Sequence, residues 1–235
     1  MPAHNSALVI ERTVERLRGR LADRPAEIIV VENGSTDDTW DRCERIAQTW
    51  YSKDLSFVGL RSAKGIGNAY KLGAQHSRGQ RVLLTADDLP FGFDDLDAAD
   101  RLASEGRDLP PVIIGSKAHR DSVVERGKQR RYLAGGFGLL RRLILTTHVG
   151  DSQGTFIVDG ELLRRLAPHV SEGGFLFTTE LVLLAEQAGI RPLEVAVRLS
   201  ADHHDHPSRV SARDIGSMAL GVLRLRLRHL RRRTP

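Results

Sequence analysis

"AEIIVVENGSTDDTWDRCERIAQTW", residues 26–50, decides the fold class. Its first seven residues are mostly β-branched and apolar, the composition of a buried strand. Asn33-Gly34-Ser35 then turns the chain, Ser, Thr and Asp offer an N-cap, and residues 37–49 read as a helix. The same unit recurs on either side. Ile10, Val14, Leu17 and Leu21 form one helical stripe, which predicts an amphipathic helix over 6–23. Downstream, "LSFVGL" (55–60) reads as a strand, "GIGNAYKLGAQHS" (65–77) as a helix and "QRVLLTA" (80–86) as a strand. "DLDAADRLASE" (95–105) is then a helix and "PPVIIGS" (110–116) a strand. Strands alternating with helices through short loops predict an α/β fold, a mostly parallel sheet with flanking helices. Beyond residue 120 the period loosens: 122–147 reads as mostly helical, 154–159 and 191–199 as strands, and 178–189 as a helix.

Composition sets the bounds. The 235 residues are 40% hydrophobic and 28% charged, enough for a sizeable core. No apolar run has the length of a membrane span and no signal-peptide pattern opens the chain, so a cytoplasmic location is expected. Cys43 is the lone cysteine, which leaves no internal disulfide. Arginine far outnumbers lysine, as in GC-rich bacterial genomes. The net charge of +5 is unevenly spread, because "VLRLRLRHLRRRTP" (222–235) alone holds six arginines and no acid. Leu220, Leu223, Leu227 and Leu230 lie there at helical spacing, so residues 213–235 read as a basic amphipathic tail. Such a tail either meets an anionic membrane surface or nucleic acid, or docks its leucines on the domain.

Ligands of open α/β sheets bind at the carboxyl ends of the strands. Three polar clusters fall there. Glu32-Asn33-Gly34 can hydrogen-bond a base or ribose. Lys64 and Gly65 stand at a helix start, where backbone N–H groups and a cation face phosphate. Asp87 and Asp88 offer hard oxygen ligands for Mg²⁺ or Mn²⁺, which would bridge a diphosphate. Each cluster alone has an ordinary structural explanation as a turn, a helix cap or a solvated loop. Three at successive strand ends describe a nucleotide-diphosphate site. Neither GxGxxG nor a P-loop is present, which counts against dinucleotide and NTPase folds. "ADHHDHPSR" (201–209) is either a polar loop or a source of metal ligands, with His204 and His206 leading. Asp94 and Asp95 read as caps of the helix that follows them.

"MPAHNS", "VVENGSTDDTW", "KGIGNAYKLGAQHSRGQRVLLTADDLPF", "IGSKAH", "GDSQGTF" and "TTELVLLAEQAGIRPLEVAV" occur in the order seen in glycosyltransferase family 2. The chain resembles above all its polyprenyl-phosphate branch, the dolichyl-phosphate glucosyltransferases and mannose synthases. The resemblance extends to about residue 210. It implies a GT-A fold over 1–212, with a nucleotide-sugar half (about 1–118) and an acceptor half (119–212). It further implies an inverting hexosyl transfer from a UDP- or GDP-linked sugar to polyprenyl phosphate, with Mg²⁺ or Mn²⁺. Pro2, Ala3 and His4 stand in the family's "PAYN" segment; Glu32 and Asn33 stand where "DDGS" holds the base and ribose. Ala86-Asp87-Asp88 replaces the "DAD" metal motif, so its first aspartate is lost and Asp88 matches the last. Asp151 and Gln153 match "DTQCGF", and Glu180 the acid of the "ELL" helix; these are the expected catalytic residues. Lys117, Arg130, Arg131 and Arg209 fall at acceptor-side basic positions, suited to a phosphate. Relatives have an apolar strand before "PAYN", so the first strand is expected to be truncated here.

The resemblance thus points to a peripheral enzyme on the inner face of the cell membrane, with room for a membrane-protein partner. Three rivals remain at this point: a family 2 enzyme with a soluble acceptor, such as a phosphorylated small acid or a glycan; an inactive relative; and a nucleotidyltransferase, which would want a Gly-rich loop where "PAHNSA" stands. A nucleic-acid-binding role is disfavoured, since only 5% of residues are aromatic and no stacking platform is evident.

Overall fold

The β-branched run at 26–32 forms strand β2 (Ala26–Glu32), and its neighbours assemble on it as the local pattern dictates. The computed structural model describes residues 1–124, 144–145, 147–199 and 220–229. The chain divides into two compact units, Met1–Pro90 with Thr155–Phe177, and Phe91–Gly154 with Thr178–Pro235. The units therefore interleave along the sequence.

In the first unit β1 (Pro2–Ala3) and β3 (Leu55–Arg61) both pair parallel with β2, which lies between them. β1 is only two residues long, with Ala3 opposite Glu32. Helix α1 (Ile10–Leu21) buries Ile10, Thr13, Val14 and Leu17, most of the stripe read from the sequence. Helix α2 (Thr39–Thr49) and helix α3 (Ile66–His76) follow β2 and β3, as βα units require. Strand β4 (Arg81–Leu84) pairs antiparallel with a much later strand. That partner, numbered β6 below because β5 precedes it in the chain, is Thr155–Asp159.

In the second unit helix α4 (Asp94–Ser104) precedes β5 (Val112–Ser116), every residue of which is buried. β6 (Thr155–Asp159) leads into α5 (Gly160–Leu166), capped by Asp159, whose Oδ1 accepts the Leu162 N–H at 2.9 Å; both belong to the first unit. Helix α6 (Phe177–Gln187) is buried from Phe177 to Leu183, including the polar Thr178, Thr179 and Glu180. β7 (Leu193–Ala196) pairs parallel with β5. Residues 220–229 are helical. Among the described residues no helix is long and apolar enough to cross a membrane.

The structure corrects the expectation that Asp94 and Asp95 cap α4. The N-cap position is Phe93, with no side-chain cap bond, and both acids sit inside the first turn. Asp94 Oδ2 instead accepts the Arg198 backbone N–H at 2.7 Å, so its carboxylate joins distant chain segments while still facing the helix dipole favourably.

Candidate functional site

Parallel pairing brings the carboxyl ends of β1, β2 and β3 side by side. Glu32, the last residue of β2, is 2% exposed. Its Oε1 accepts the Ser35 N–H and its Oε2 the Arg61 Nε–H at 3.2 Å. Burial pushes this carboxyl up, but the Ser35 donors and the Arg61 guanidinium outweigh it and hold it below the usual range. Arg61 lies with its guanidinium carbon 5.1 Å from the centroid of the Trp40 ring. Glu32 thus stays ionised and spends both oxygens within the protein.

The next residue differs. Asn33 is 4% exposed, and its Oδ1 has no hydrogen-bond partner. Just past the adjacent strand β1, the Nδ1 of His4 is likewise buried and unpartnered. The Asn33 N–H donates to Ala3 O at 3.0 Å, so the two residues leave the sheet together. Buried polar atoms in native proteins nearly always have partners, and these are two adjacent exceptions at strand ends. Pro2 and Ala3 are buried strand residues that furnish wall and no polar side chain. Gly34 is left-handed (φ +81°), and a Cβ there would stand 3.1 Å from Lys64 Cβ.

Asp87 and Asp88 follow β4 but have separate environments. Asp87 is 5% exposed; its carboxylate accepts the Ser6 hydroxyl and its carbonyl the Thr13 hydroxyl at 2.6 Å. It is turned toward the start of α1. Asp88 is only half-buried, with its Oδ1 on the inner side. The turn is closed by Leu89, whose N–H donates to Ala86 O at 3.2 Å, and Leu89 has a φ of +46°, uncommon for a branched side chain. The buried Tyr70 stacks on Phe177, ring centroids 5.4 Å apart. Burial first, then the Asp87 and Asp88 carboxylates, raise its phenol well above the ordinary value, so it stays neutral.

The helix start at Lys64-Gly65 is less open than its sequence suggests. Gly65 has a φ of +126°, and a Cβ there would collide with Gly173 O. The Asn68 N–H, which could have faced an anion, donates to Gly173 O at 3.1 Å. Lys64 itself is exposed.

In the second unit, Lys117 is drawn to Asp151. Lys117 Nζ lies 3.0 Å from Asp151 Oδ2 and donates to Gln153 O at 2.7 Å. Burial raises the Asp151 carboxyl, but the Lys117 charge and the N–H groups of Lys117 and Gln153 bring it below the ordinary range. Gln153 donates from Nε2 to Thr179 Oγ1 at 2.9 Å. Gly154 ends this loop where only glycine fits, because a Cβ would strike Gly115 O. Sequence reasoning missed Glu194 on β7. Its Oε1 accepts the Asp151 N–H at 3.0 Å and its Oε2 the Gly150 N–H at 2.8 Å. It lies within "TTELVLLAEQAGIRPLEVAV", yet its role depends on partners far along the chain.

Glu180, in the first turn of α6, is fully buried. The helical residues 220–229 bring Arg228 Nη1 to 3.9 Å and His229 Nε2 to 3.6 Å from its Oε1. Arg130, Arg131, His204, His206 and Arg209 lie outside the described residues. Among the described residues no cluster of three or more metal-ligating side chains occurs.

Residues 1–166 match the family model "Glycosyl transferase family 2". The dolichyl-phosphate β-glucosyltransferase of Saccharomyces cerevisiae is 25% identical over 98% of this chain and 74% of its own length. That of Mus musculus is 28% identical over 73% of this chain and 55% of its own. The chain thus spans about half to three quarters of these relatives. The crystal structure of glucosyl-3-phosphoglycerate synthase from Mycobacterium tuberculosis with Mn²⁺, uridine diphosphate and phosphoglyceric acid superposes with a TM-score of 0.64 at 18% identity. That match covers 97% of this chain and 75% of the other. The fold is therefore the GT-A type of that synthase.

Proposed function

The chain belongs to glycosyltransferase family 2, and from that premise we propose that it moves a hexose from a UDP- or GDP-linked sugar to polyprenyl phosphate at the inner membrane face. The carrying observation is the pair of buried, unpartnered atoms, His4 Nδ1 and Asn33 Oδ1, at adjacent strand ends. A nucleotide base and ribose present N–H and O–H donors that would satisfy them, and Glu32 fixes the loop around them through Ser35. The similarity to dolichyl-phosphate glucosyltransferases over most of the chain supports the polyprenyl acceptor.

Asp88, with Asp87 beside it, would hold Mg²⁺ or Mn²⁺. The half-buried Asp88 carboxylate would supply hard oxygen to such an ion. When bound, such an ion neutralises charge growing on the departing diphosphate. Asp87, already engaged by Ser6, contributes chiefly by fixing the turn that presents Asp88.

A phosphate acceptor is an anion near neutral pH and attacks the anomeric carbon without a strong general base. Attack from the face opposite the diphosphate inverts that carbon. Asp151 suits this demand: its depressed pKa makes it a weak proton acceptor, and it holds Lys117 and the Gln153 backbone in place. Glu180, buried beside His229 and Arg228, acts likewise as a positioning residue. Lys117 then serves the acceptor phosphate through the loop it shares with Asp151.

A second reading is favoured by one observation, the likeness to a synthase solved with phosphoglyceric acid. In it the acceptor is a small phosphorylated acid. Labelled UDP-glucose and GDP-mannose, supplied with polyprenyl phosphate or with phosphoglycerate, separate the two. Label in the organic phase supports the lipid acceptor; label only in a water-soluble product overturns it in favour of the second.

A further inference from the structure

We propose that the helix at 220–229 is a docking surface for an anionic lipid membrane, with its outer face made by Leu220, Leu223 and Leu227. This deepens the polyprenyl-phosphate reading and rests on it for its purpose. The structure sorts the leucines that the sequence left open. Val222 and Leu225 are fully buried and His229 is 4% exposed, so this face anchors the helix. Leu220, Leu223 and Leu227 are 57%, 49% and 60% exposed, which removes the alternative that they dock on the domain.

At about 100° per residue these three leucines fall in a sector about 60° wide, opposite the buried face. On the same wheel Arg226 flanks that sector on one side and Arg224 on the other, while Arg228, beyond Arg224, is paired with Glu180. An apolar ridge between two arginines matches an interfacial helix: leucines enter the acyl boundary while guanidinium groups meet phosphate headgroups. The segment 222–235 carries more positive charge than the whole chain's net +5, so the rest of the protein is nearly neutral and the attraction is local. A second copy of the chain fits poorly. Three leucines offer far less apolar area than the roughly 800 Å² per partner of a stable dimer, and the flanking arginines would repel their counterparts. The ridge has no aromatic side chain on which a nucleic-acid base could stack.

The test floats the full chain on phosphatidylcholine vesicles with and without phosphatidylglycerol, omitting donor and acceptor substrates. The variants are Leu223→Ser/Leu227→Ser and Arg224→Gln/Arg226→Gln, with thermal melts followed by circular dichroism to show that both fold. The wild-type chain should bind the anionic vesicles and release as salt rises. The leucine variant should bind about tenfold or more weakly. The arginine variant should lose roughly fivefold per residue on anionic vesicles alone. Unchanged binding by the leucine variant overturns the proposal. So does wild-type binding to duplex DNA in preference to vesicles, or a dimer that the leucine variant dissolves. If vesicle binding behaves as stated but no polyprenyl product forms, the acceptor reading fails and the docking surface stands.

Discussion

His229 Nε2 stands 3.6 Å from Glu180 Oε1, so a residue near the far end of the chain closes the environment of a buried acid in α6. The distance is too long for a hydrogen bond, so the two groups meet as close polar neighbours. Gln187 orients the ring by donating to Nδ1 at 3.3 Å, which leaves the Nε2 hydrogen facing the carboxylate. His229→Ala should therefore lower stability by roughly 1–3 kcal/mol, read from urea unfolding. His229→Gln, which keeps a donor, should recover part of that loss. Equal stability of the two variants would show that the contact contributes only packing.

The Lys117–Asp151 pair sets an acid limit. Asp151 has a folded pKa below its ordinary value, so its contribution is present above about pH 4 and disappears as pH falls through the lower folded value. Lys117→Met removes the main lowering influence and leaves burial. The variant should lose roughly 3 kcal/mol at neutral pH, and its acid unfolding should begin at higher pH. Urea midpoints measured from pH 3 to 7 check both statements.

Asp87 and Asp88 should separate by phenotype. Asp88→Asn should reduce hexosyl transfer by about 100-fold or more with little change in melting temperature. Asp87→Asn weakens the acceptor for Ser6 and should lower the melting temperature more than Asp88→Asn does. The reverse ordering would move the metal role to Asp87.

Asn33→Ala deletes an atom that has no partner inside the protein. Stability should hardly change, whereas calorimetry should show about tenfold weaker binding of the nucleoside diphosphate that the enzyme uses. Comparing UDP with GDP in the same titrations identifies the base.

Gly154→Ala should destabilise by roughly 1–3 kcal/mol, because the new methyl meets the Gly115 carbonyl and backbone must move. The same change at Gly174, where a Cβ would meet nothing within 4 Å, provides the control.

Much of the architecture was legible because it is written locally. The strand at 26–32 was read to the residue, and α2, α3 and α4 to within two residues, since hydrophobic period and turn residues act over short distances. That Glu32 and Asn33 leave the sheet beside Ala3 and His4 follows from the parallel pairing of β1 with β2, which places their carboxyl ends together. What escaped depends on distant partners. Glu194 gains its role only when β7 lies beside β5, and the antiparallel union of β4 with β6 joins segments some seventy residues apart. The pairing of Lys117 with Asp151 likewise joins segments that the sequence does not show to be neighbours. The positive φ of the buried Leu89 runs against its own preference, so nothing local in the sequence announces it.

The interleaving of the two units also bears on synthesis. β4 leaves the ribosome long before β6, the strand that pairs with it. At elongation rates of about 5–20 residues per second, roughly 4 to 14 seconds pass between them. During that interval the nascent first unit carries an unpaired strand edge, the kind of surface on which chains aggregate. Its completion is therefore timed by translation of residues 155–177, and slowing codons between 90 and 154 would prolong the exposure and increase the demand for chaperones.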